Sequence, residues 1–398
     1  MKILFATGHL PSMKVSQAGA RTSYGFCRFY AGSHEIHLAA FATAGELAVF
    51  DENEMAIFAS WKIFPVSRFT RIRGILQELD LPLPIGARKS RVFERYIRQL
   101  QTQHHFDVVI LDHTALFQFA ELFPHSTITV GCAHDVLTQS WERRESVLGG
   151  GLKRNLVGWE RRRIQRWEDQ SFRSLGLLVV HSLKDKRYVE SRFSPRREPS
   201  VINPWIHRTS LVQDATGLRK IPNTLLFWGA MDRQENIDAA IWIAKEIHPL
   251  IRRKVPNAIF YIAGNRSEKL KAQLAGCKGV ILTGFVDDIS ALMRSMEIAM
   301  LPLRLGAGIK IKTLECMDAG IPVITTEVGA EGIDGIDGRE FVIGATARDL
   351  AEAGVELLLD KERARAIGVA GQRIICQRYN FEGKLKELES RLYEIASS

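Results

Sequence analysis

Two lysines and a glutamate fall within about one helical turn in residues 301–320, LPLRLGAGIKIKTLECMDAG. Lys310 and Lys312 stand at the start of a predicted helix, and Glu315 follows Lys312 by three positions, so the two share a face. A helix start presents unpaired N–H groups and the positive end of the helix dipole, which disfavours lysines unless an anion binds there. Gly306 and Gly308 would let the backbone approach that anion closely. With a carboxylate one turn on that can accept from a diol, the pattern fits a nucleoside diphosphate. A plain surface helix is the alternative.

Apolar runs on both sides of this segment indicate how it is positioned. EIAMLPL precedes the glycine loop, and the helix is predicted to end at Gly320, a residue that tolerates a left-handed C-cap. A second apolar run, Pro322 to Thr326, follows directly. Because a helix between two strands is typical of a parallel sheet, and ligands bind at the carboxyl ends of such strands, the loop is predicted to lie at a binding edge.

The run GAGIKIKTLECMDAGIPVITT resembles the nucleotide-sugar-binding segment of the retaining GT-B glycosyltransferases of family 4. LLFWGAMDRQENIDAAIWIAKEIHPLI, FYIAGN and ILTGFVDDISALMRSMEIAMLPL extend the resemblance, which is strong from about Leu225 to Ile333. It implies an α/β fold of two Rossmann-like, doubly wound domains facing a cleft, with the donor in the second domain. A C-terminal helix is expected to return to the first domain.

The resemblance also implies roles for residues. It suggests that Lys310, Lys312, Glu315 and His134 are catalytic, with Glu315 on the ribose and His134 on the donor sugar. The expected donor-binding residues are Gly19, Gly229, Phe285, Val286, Gly306, Ala307, Gly308 and Ile309. No cofactor is expected beyond the nucleotide sugar, which we expect to be UDP-linked, and no metal, because Asp287 and Asp288 fit a cap for the next helix.

Two positions depart from the family pattern. Ala307 occupies the place of a second glutamate, and Ala230, Met231 and Asn236 occupy the region that usually carries an arginine and a lysine. Lys310 and Lys312 are predicted to supply the missing charge. The departures leave the identity of the sugar open.

The acceptor side is predicted in the first half of the chain. TITVGCAHDVLTQ is predicted to place His134 and Asp135 together at the carboxyl edge of a sheet, and Arg143 and Arg144 in a loop that could contact the acceptor. Gly19 belongs to a loop expected to reach the donor phosphates, with a plain loop-to-helix turn as the alternative.

Charge is concentrated in the same half of the 398-residue chain. Residues 1–200 carry 28 Lys and Arg against 20 Asp and Glu, whereas residues 201–398 carry 26 against 25. A positive field attracts anionic partners, so either an anionic membrane surface or an anionic acceptor fits, and nucleic acid stays open. The residues proposed to face a membrane are Arg88, Arg91, Arg95, Arg161, Arg162 and Arg163.

The resemblance implies three parts of the chain. Residues 1–205 are expected to bind the acceptor, residues 206–372 the nucleotide sugar, and residues 373–398 to form the returning helix. The polar stretch from Asp214 to Pro222 is the predicted linker. Five scattered cysteines without CxxC spacing and the lack of a long apolar run predict a cytoplasmic protein without a transmembrane segment, soluble or peripheral on the inner membrane face. The expected activity is transfer to a glycan or lipid-linked acceptor with retention of configuration, in polysaccharide or glycoconjugate synthesis. A soluble enzyme acting on a small molecule or nucleic acid, a sugar-nucleotide epimerase and a binding protein are the alternatives.

Overall fold

The computed structural model describes residues 1–15, 17–146, 148–206, 208, 220–265, 268–306 and 308–397. Among them, Met1–Trp205 with Phe381–Ser398 form one compact unit, and Ile206–Asn380 form the second. The predicted linker up to residue 219, and Ala307, lie outside the described residues.

The first unit is built on a seven-stranded parallel sheet in the order β3-β2-β1-β4-β5-β6-β7. Its strands are β1 Lys2–Thr7, β2 Glu35–Thr43, β3 Ser60–Val66, β4 Val108–Asp112, β5 Ile128–Ala133, β6 Leu177–Val180 and β7 Ser200–Val201. β1 and β4 are neighbours, although the chain visits β2 and β3 between them. This is the switch point of a doubly wound sheet, where ligands bind.

Helices cover both faces of this sheet. They are α1 Ala18–Ala31, α2 Ala44–Leu47, α3 Glu52–Met55, α4 Arg68–Gln77, α5 Leu83–Gly86, α6 Arg91–His104, α7 Leu137–Ser146, α8 Leu152–Ser174 and α9 Leu183–Arg192, with a 3-10 segment at Thr114–Leu122. Continuous apolar strands such as VVILD are buried from both sides, as a covered parallel sheet requires. Two clusters of buried side chains, one on each face, form the core.

The second unit repeats the plan with six parallel strands in the order β10-β9-β8-β11-β12-β13. They are β8 Thr224–Trp228, β9 Ile259–Ala263, β10 Val280–Gly284, β11 Ile298–Leu301, β12 Val323–Thr325 and β13 Val342–Ile343. The helices are α10 Gln234–Trp242, continued by a π-helical turn at Ile243–Ile247 into α11 His248–Lys254, then α12 Glu268–Leu274, α13 Ile289–Ser295, α14 Ile311–Asp318, α15 Ala347–Leu359 and α16 Lys361–Arg378. Its switch point lies between β8 and β11.

The chain returns to the first unit through α17, Phe381–Ala396. Leu385, Leu388 and Leu392 are buried there, and the hydroxyl of Tyr30 donates to the carbonyl of Leu385 at 3.1 Å. Residues 373–380, which the sequence assigned to this returning segment, belong to the second unit because α16 continues to Arg378.

Candidate functional site

The predicted phosphate loop occupies the carboxyl edge of the second sheet, between β11 and α14. Gly306 and Gly308 both have positive φ, +107° and +71°, which a residue with a side chain would adopt only under strain. Lys310 is the N-cap residue of α14, and its Nζ donates to the carbonyl of Gly308 at 2.6 Å, across the loop. Gly320, just beyond the helix, has φ +69°, as its predicted capping role requires.

Lys312 points back from α14 to the end of β8. Its Nζ donates to the carbonyl of Trp228 at 2.9 Å and to Oδ1 of Asn236 at 2.7 Å. Gly229 is needed for this approach, because a Cβ there would lie 2.8 Å from the Lys312 Nζ. Asn236, where the family pattern has a lysine, thus orients the ammonium of Lys312. The switch point of the second unit therefore carries a cation supplied by the neighbouring helix.

Burial gives Lys312 unusual electrostatics. Removal from water lowers its pKa to about 8, against an ordinary value of 10.5. An ammonium has three donors, and two of those on Lys312 are used by protein acceptors. The third hydrogen is the one that an anion at this edge would take.

The remaining predicted donor residues of the second unit differ in exposure. Glu315 lies on the same helix and is only 3% exposed. Phe285 is 71% exposed beyond the end of β10, and Val286 and Ile309 pack against the core. Asp288 caps α13, accepting from the N–H of Ala291 at 2.8 Å, as predicted. An exposed aromatic beside a glycine turn offers a stacking face to a flat ring.

A polar network occupies the switch point of the first unit. Asp112, the last residue of β4, accepts from Nε2 of His134 at 2.7 Å, from Oγ1 of Thr7 at 3.0 Å and from Oγ of Ser23 at 2.5 Å. His9, two residues beyond β1, lies with Nε2 2.8 Å from the same Ser23 hydroxyl. His134 is therefore paired with Asp112, which ends the neighbouring strand β4.

The network fixes the charges of its members. Burial acts to lower the pKa of His134, but the adjacent Asp112 carboxylate raises it above its ordinary value. Burial acts to raise the pKa of Asp112, yet the contacts with His134 hold it well below the usual range. Burial lowers the pKa of His9 to about 4 and that of His113 to about 3, so both are neutral at pH 7. With Nε2 of His134 on Asp112, its Nδ1 is the nitrogen left for a ligand.

Gly19 is brought against this histidine. It lies on α1, and a Cβ at this position would lie 3.2 Å from Nδ1 of His134. The sequence thus found Gly19 and His134, which the fold places together. It missed Asp112, His9 and Ser23, although a polar residue ending a buried strand was a usable signal for Asp112.

The other predicted acceptor-side residues lie elsewhere in this unit. Arg143 and Arg144 are on α7 and not in a loop, and Arg144 stacks over Trp141 with its guanidinium carbon 5.0 Å from the ring centre. The backbone carbonyl of Asp135 accepts from Thr114. The contact of Arg144 with Trp141 therefore does not assign this arginine to the His134 network.

Two groups of side chains in the first unit have the composition of a metal site. His9, Asp112 and His134 offer ligand atoms within 4.8 Å of one another, as do Glu35, His37 and His104 near the opposite end of the sheet. In the first group, each of these atoms already takes part in the hydrogen bonds described above. A metal would have to replace those bonds, so metal independence remains our prediction for this chain.

The arginines that the sequence predicts to face a membrane divide into two sets. Arg161 pairs with Glu145 at 2.6 Å and Arg163 with Glu160 at 2.7 Å. Arg88 is half-buried and donates to the carbonyl of Gly8 at the end of β1, so it does not line an exposed helix face. The exposed members of the predicted set are Arg91, Arg95 and Arg162. Among the described helices, none is long and apolar enough to cross a membrane.

Comparison with known proteins supports this architecture. Residues 222–360 match the family model "Glycosyl transferases group 1". HepE of Anabaena, solved with UDP and glucose, aligns over 99% of this chain and 100% of its own with a TM-score of 0.67 at 14% identity. WaaG, a glycosyltransferase involved in lipopolysaccharide biosynthesis, aligns over 98% and 99% with a TM-score of 0.63 at 15% identity. The chain therefore has the GT-B fold, and the stretch that matches the group 1 glycosyltransferase model lies within its second unit.

Sequence relatives match a shorter part of the chain. An uncharacterised 44.6 kDa protein of the cps region of Klebsiella pneumoniae is 29% identical over 127 residues, 30% of this chain and 33% of that protein. A GDP-mannose-dependent α-(1-6)-phosphatidylinositol monomannoside mannosyltransferase of Mycobacterium tuberculosis is 30% identical over 149 residues, 34% and 39% of the two chains. The chain thus aligns with between a third and two fifths of the length of these curated relatives.

Proposed function

We propose that this protein is a glycosyltransferase of family 4 that moves a hexosyl group from a nucleoside diphosphate sugar to a glycan or lipid-linked acceptor, with retention of configuration. The observation that carries the proposal is the glycine loop and Lys312 at the switch point of the second unit, inside the stretch that matches a group 1 glycosyltransferase domain. A cation and a helix start at this edge suit a diphosphate leaving group.

The proposed roles follow from the charges and contacts. Lys310, Lys312 and the start of α14 stabilise the negative charge that builds up on the departing diphosphate, without a metal. Glu315 binds the ribose diol, and the Phe285–Val286 segment meets the base. His134, oriented by Asp112, contacts the donor sugar. The acceptor hydroxyl attacks from the face that the phosphate leaves, so no enzyme nucleophile is needed.

UDP is the nucleotide we propose. The support is that HepE, which shares the fold, was solved in complexes with UDP and with UDP-glucose. The M. tuberculosis relative is GDP-mannose-dependent, so GDP is the competing base.

Thermal unfolding with UDP, GDP, dTDP and CMP, each with and without EDTA, tests donor class and metal independence together. A nucleotide present at about 100 times its Kd stabilises the fold by about 2.7 kcal/mol, which raises the unfolding midpoint visibly. We expect UDP alone to do so, equally in EDTA. Glu315→Ala should remove the UDP shift, whereas the matched exposed glutamate variant Glu352→Ala should keep it. A midpoint that no nucleotide moves would refute the proposal.

We also propose that the protein works as a peripheral protein on the inner face of an anionic membrane. Large apolar side chains are exposed on α4 and its following loop and on α8 of the first unit, among them Phe69 at 85% and Trp159 at 52% exposure. The two regions are joined, because Arg163 of α8 donates to the carbonyl of Leu81 at 2.7 Å. Apolar side chains beside exposed arginines such as Arg162 are the composition of an interfacial anchor.

Flotation with phosphatidylglycerol vesicles tests this proposal. The double variant Phe69→Ser, Trp159→Ser should stay at the bottom of the gradient while the wild type floats. Val369→Ser, which removes from α16 of the second unit an apolar side chain that is 56% exposed, is the control and should float. A wild type that does not float would contradict the membrane assignment and favour a soluble acceptor, and equal flotation of all three proteins would contradict the role of Phe69 and Trp159.

A further inference from the structure

One arginine at the edge of the first sheet has no role in the proposed chemistry. Arg88 follows α5, and its Nη2 donates to the carbonyl of Gly8 at 3.2 Å, directly after β1. Its Nε is buried and has no hydrogen-bond partner among the described residues. A buried donor without a partner costs stability, so such a group in a native protein calls for a ligand or a solvent partner.

The backbone around Arg88 is held rigidly. The N–H of Arg88 donates to the carbonyl of Ile85 at 2.9 Å, and that same carbonyl accepts from Nε2 of Gln118 at 3.0 Å. Gly74 of α4 packs so tightly on α5 that a Cβ would lie 2.4 Å from the carbonyl oxygen of Gly86. Lys89 is fixed by an ion pair with Glu78 at 2.8 Å. The guanidinium is therefore presented from a fixed frame, which reduces the entropy lost on binding.

Positive charge around Arg88 is not neutralised. Burial, followed by the charge of Arg71 on α4, lowers the pKa of Arg88 to about 10, and the opposing effect of Glu46 is smaller. The Glu46 carboxylate is taken by the N–H and hydroxyl of Thr43, both at 2.7 Å. Neither Arg71 nor Arg88 forms an ion pair with any carboxylate that the structure describes. Arg71 thus adds positive charge that acts on Arg88, and neither arginine has a counter-ion among the described residues.

This edge adjoins the His134 network. Gly8 packs against His113, since a Cβ on Gly8 would lie 3.2 Å from the Cβ of His113. The charge of Arg88 is felt by both His9 and His113, which are neutral at pH 7 and so do not compete for an anion. An anion on Arg88 would therefore lie beside the position where the transferred sugar meets its acceptor in the proposed function.

We propose that Arg88, assisted by Arg71, binds a phosphate group of the acceptor. Only the identification of the ligand as the acceptor rests on the proposed function. The anion site itself rests on the geometry of the first unit. A phosphate monoester carries a charge of about −1.5 to −2 at pH 7. This charge balances two guanidinium groups better than the single negative charge of a carboxylate does. Besides the N–H that donates to the carbonyl of Gly8, the planar guanidinium of Arg88 carries further donors that can bind phosphate oxygens.

The test is a calorimetric titration of the full-length protein with inorganic phosphate. Saturating UDP is present throughout, so that the donor site is occupied. Arg88→Gln should weaken phosphate binding at least ~10-fold, the loss of one charge-assisted hydrogen bond. Arg71→Gln should weaken it about 3-fold, because it acts through charge alone. Arg187→Gln, which removes an exposed arginine on α9, should leave it unchanged. Wild-type affinity in Arg88→Gln, or no phosphate binding by the wild type, would overturn the inference.

UDP binding, measured on the same variants, separates this inference from the proposed function. Normal UDP binding with phosphate binding insensitive to Arg88 would refute the phosphate subsite and leave the glycosyltransferase proposal intact. Phosphate binding that depends on Arg88, without any UDP binding, would refute the glycosyltransferase proposal and leave the phosphate subsite intact. If Arg88→Gln does not fold, Arg88→Lys is the second variant. It keeps a donor for the carbonyl of Gly8 but loses the planar guanidinium, so it should still weaken phosphate binding at least ~3-fold.

Two sources of the phosphate are distinguished with vesicles. Phosphatidic acid vesicles present a phosphate monoester at a membrane, whereas inorganic phosphate is free in solution. Flotation on phosphatidic acid that falls in Arg88→Gln assigns a lipid phosphate. Unchanged flotation with a lost response to free phosphate assigns a soluble one. Both results support the subsite.

Discussion

Lys312→Met is the most informative perturbation of the second unit. The ammonium is held by Trp228 and Asn236 with one hydrogen left over, and its pKa is lowered to about 8 by burial. The difference from 10.5 corresponds to about 3 kcal/mol that disfavours the charged form in the free protein. A bound diphosphate can recover part of this energy, so we expect UDP to bind ~10- to 100-fold more weakly to the variant.

The same argument predicts how UDP binding depends on pH. Below about pH 8 Lys312 is a cation and attracts the diphosphate; above it the free protein carries a neutral amine that must first take up a proton. Affinity for UDP should therefore be constant from pH 7 to 8 and fall by up to ~10-fold per unit above pH 8, until the raised pKa of the complex is reached. The Lys312→Met protein should show no such fall.

Isothermal titration with UDP between pH 7 and 9.5 measures both effects. Lys245→Met, which removes an exposed lysine from the π-helical turn of the same unit, is the control and should behave as wild type. The reasoning would be refuted by wild-type affinity in Lys312→Met. It would equally be refuted by a pH profile of the wild type that is flat across pH 8.

One further prediction concerns the first unit and one the second. Asp112→Asn should lower the transfer rate ~100-fold and leave UDP affinity unchanged, because the amide no longer stabilises the charge and tautomer of His134. Steady-state kinetics with UDP-glucose as the trial donor measure the transfer rate. Weakened UDP binding in this variant would contradict the role assigned to Asp112. Gly264→Ala should unfold the second unit, because a Cβ at its φ of +152° would lie 1.9 Å from the carbonyl oxygen of Gly229. Gly276→Ala, with φ +80° and open space around it, should cost only about 1 kcal/mol by chemical denaturation.

Local sequence determined much of the second site. Gly306, Gly308 and Gly320 were predicted to take special backbone conformations, and all have positive φ. The strand, loop and helix around them follow from apolar runs and glycines that lie within 20 residues, and such patterns depend on local conformational preference. The cap by Asp288 is another feature of this kind. What the pattern could not supply was the direction in which Lys312 points.

The tertiary structure determined the hydrogen bonds between residues that lie far apart along the chain. Lys312 meets Trp228 across 84 positions, and His134 meets Asp112 across 22, because parallel strands that are adjacent in a sheet bring their carboxyl ends to one edge. Arg88 looked in sequence like one more charge on a basic helical face. Only the packing of α5 carries it to the end of β1, 80 positions away.

The sequence by itself therefore determined the parallel α/β architecture, the glycine loop with its following helix, and the excess of positive charge in the first half. The tertiary structure decided which of those charges are paired, which are exposed and which face the binding edge. The physical reason is that backbone conformation depends on neighbours in sequence, whereas pairing and burial of a charge depend on the neighbours that folding supplies.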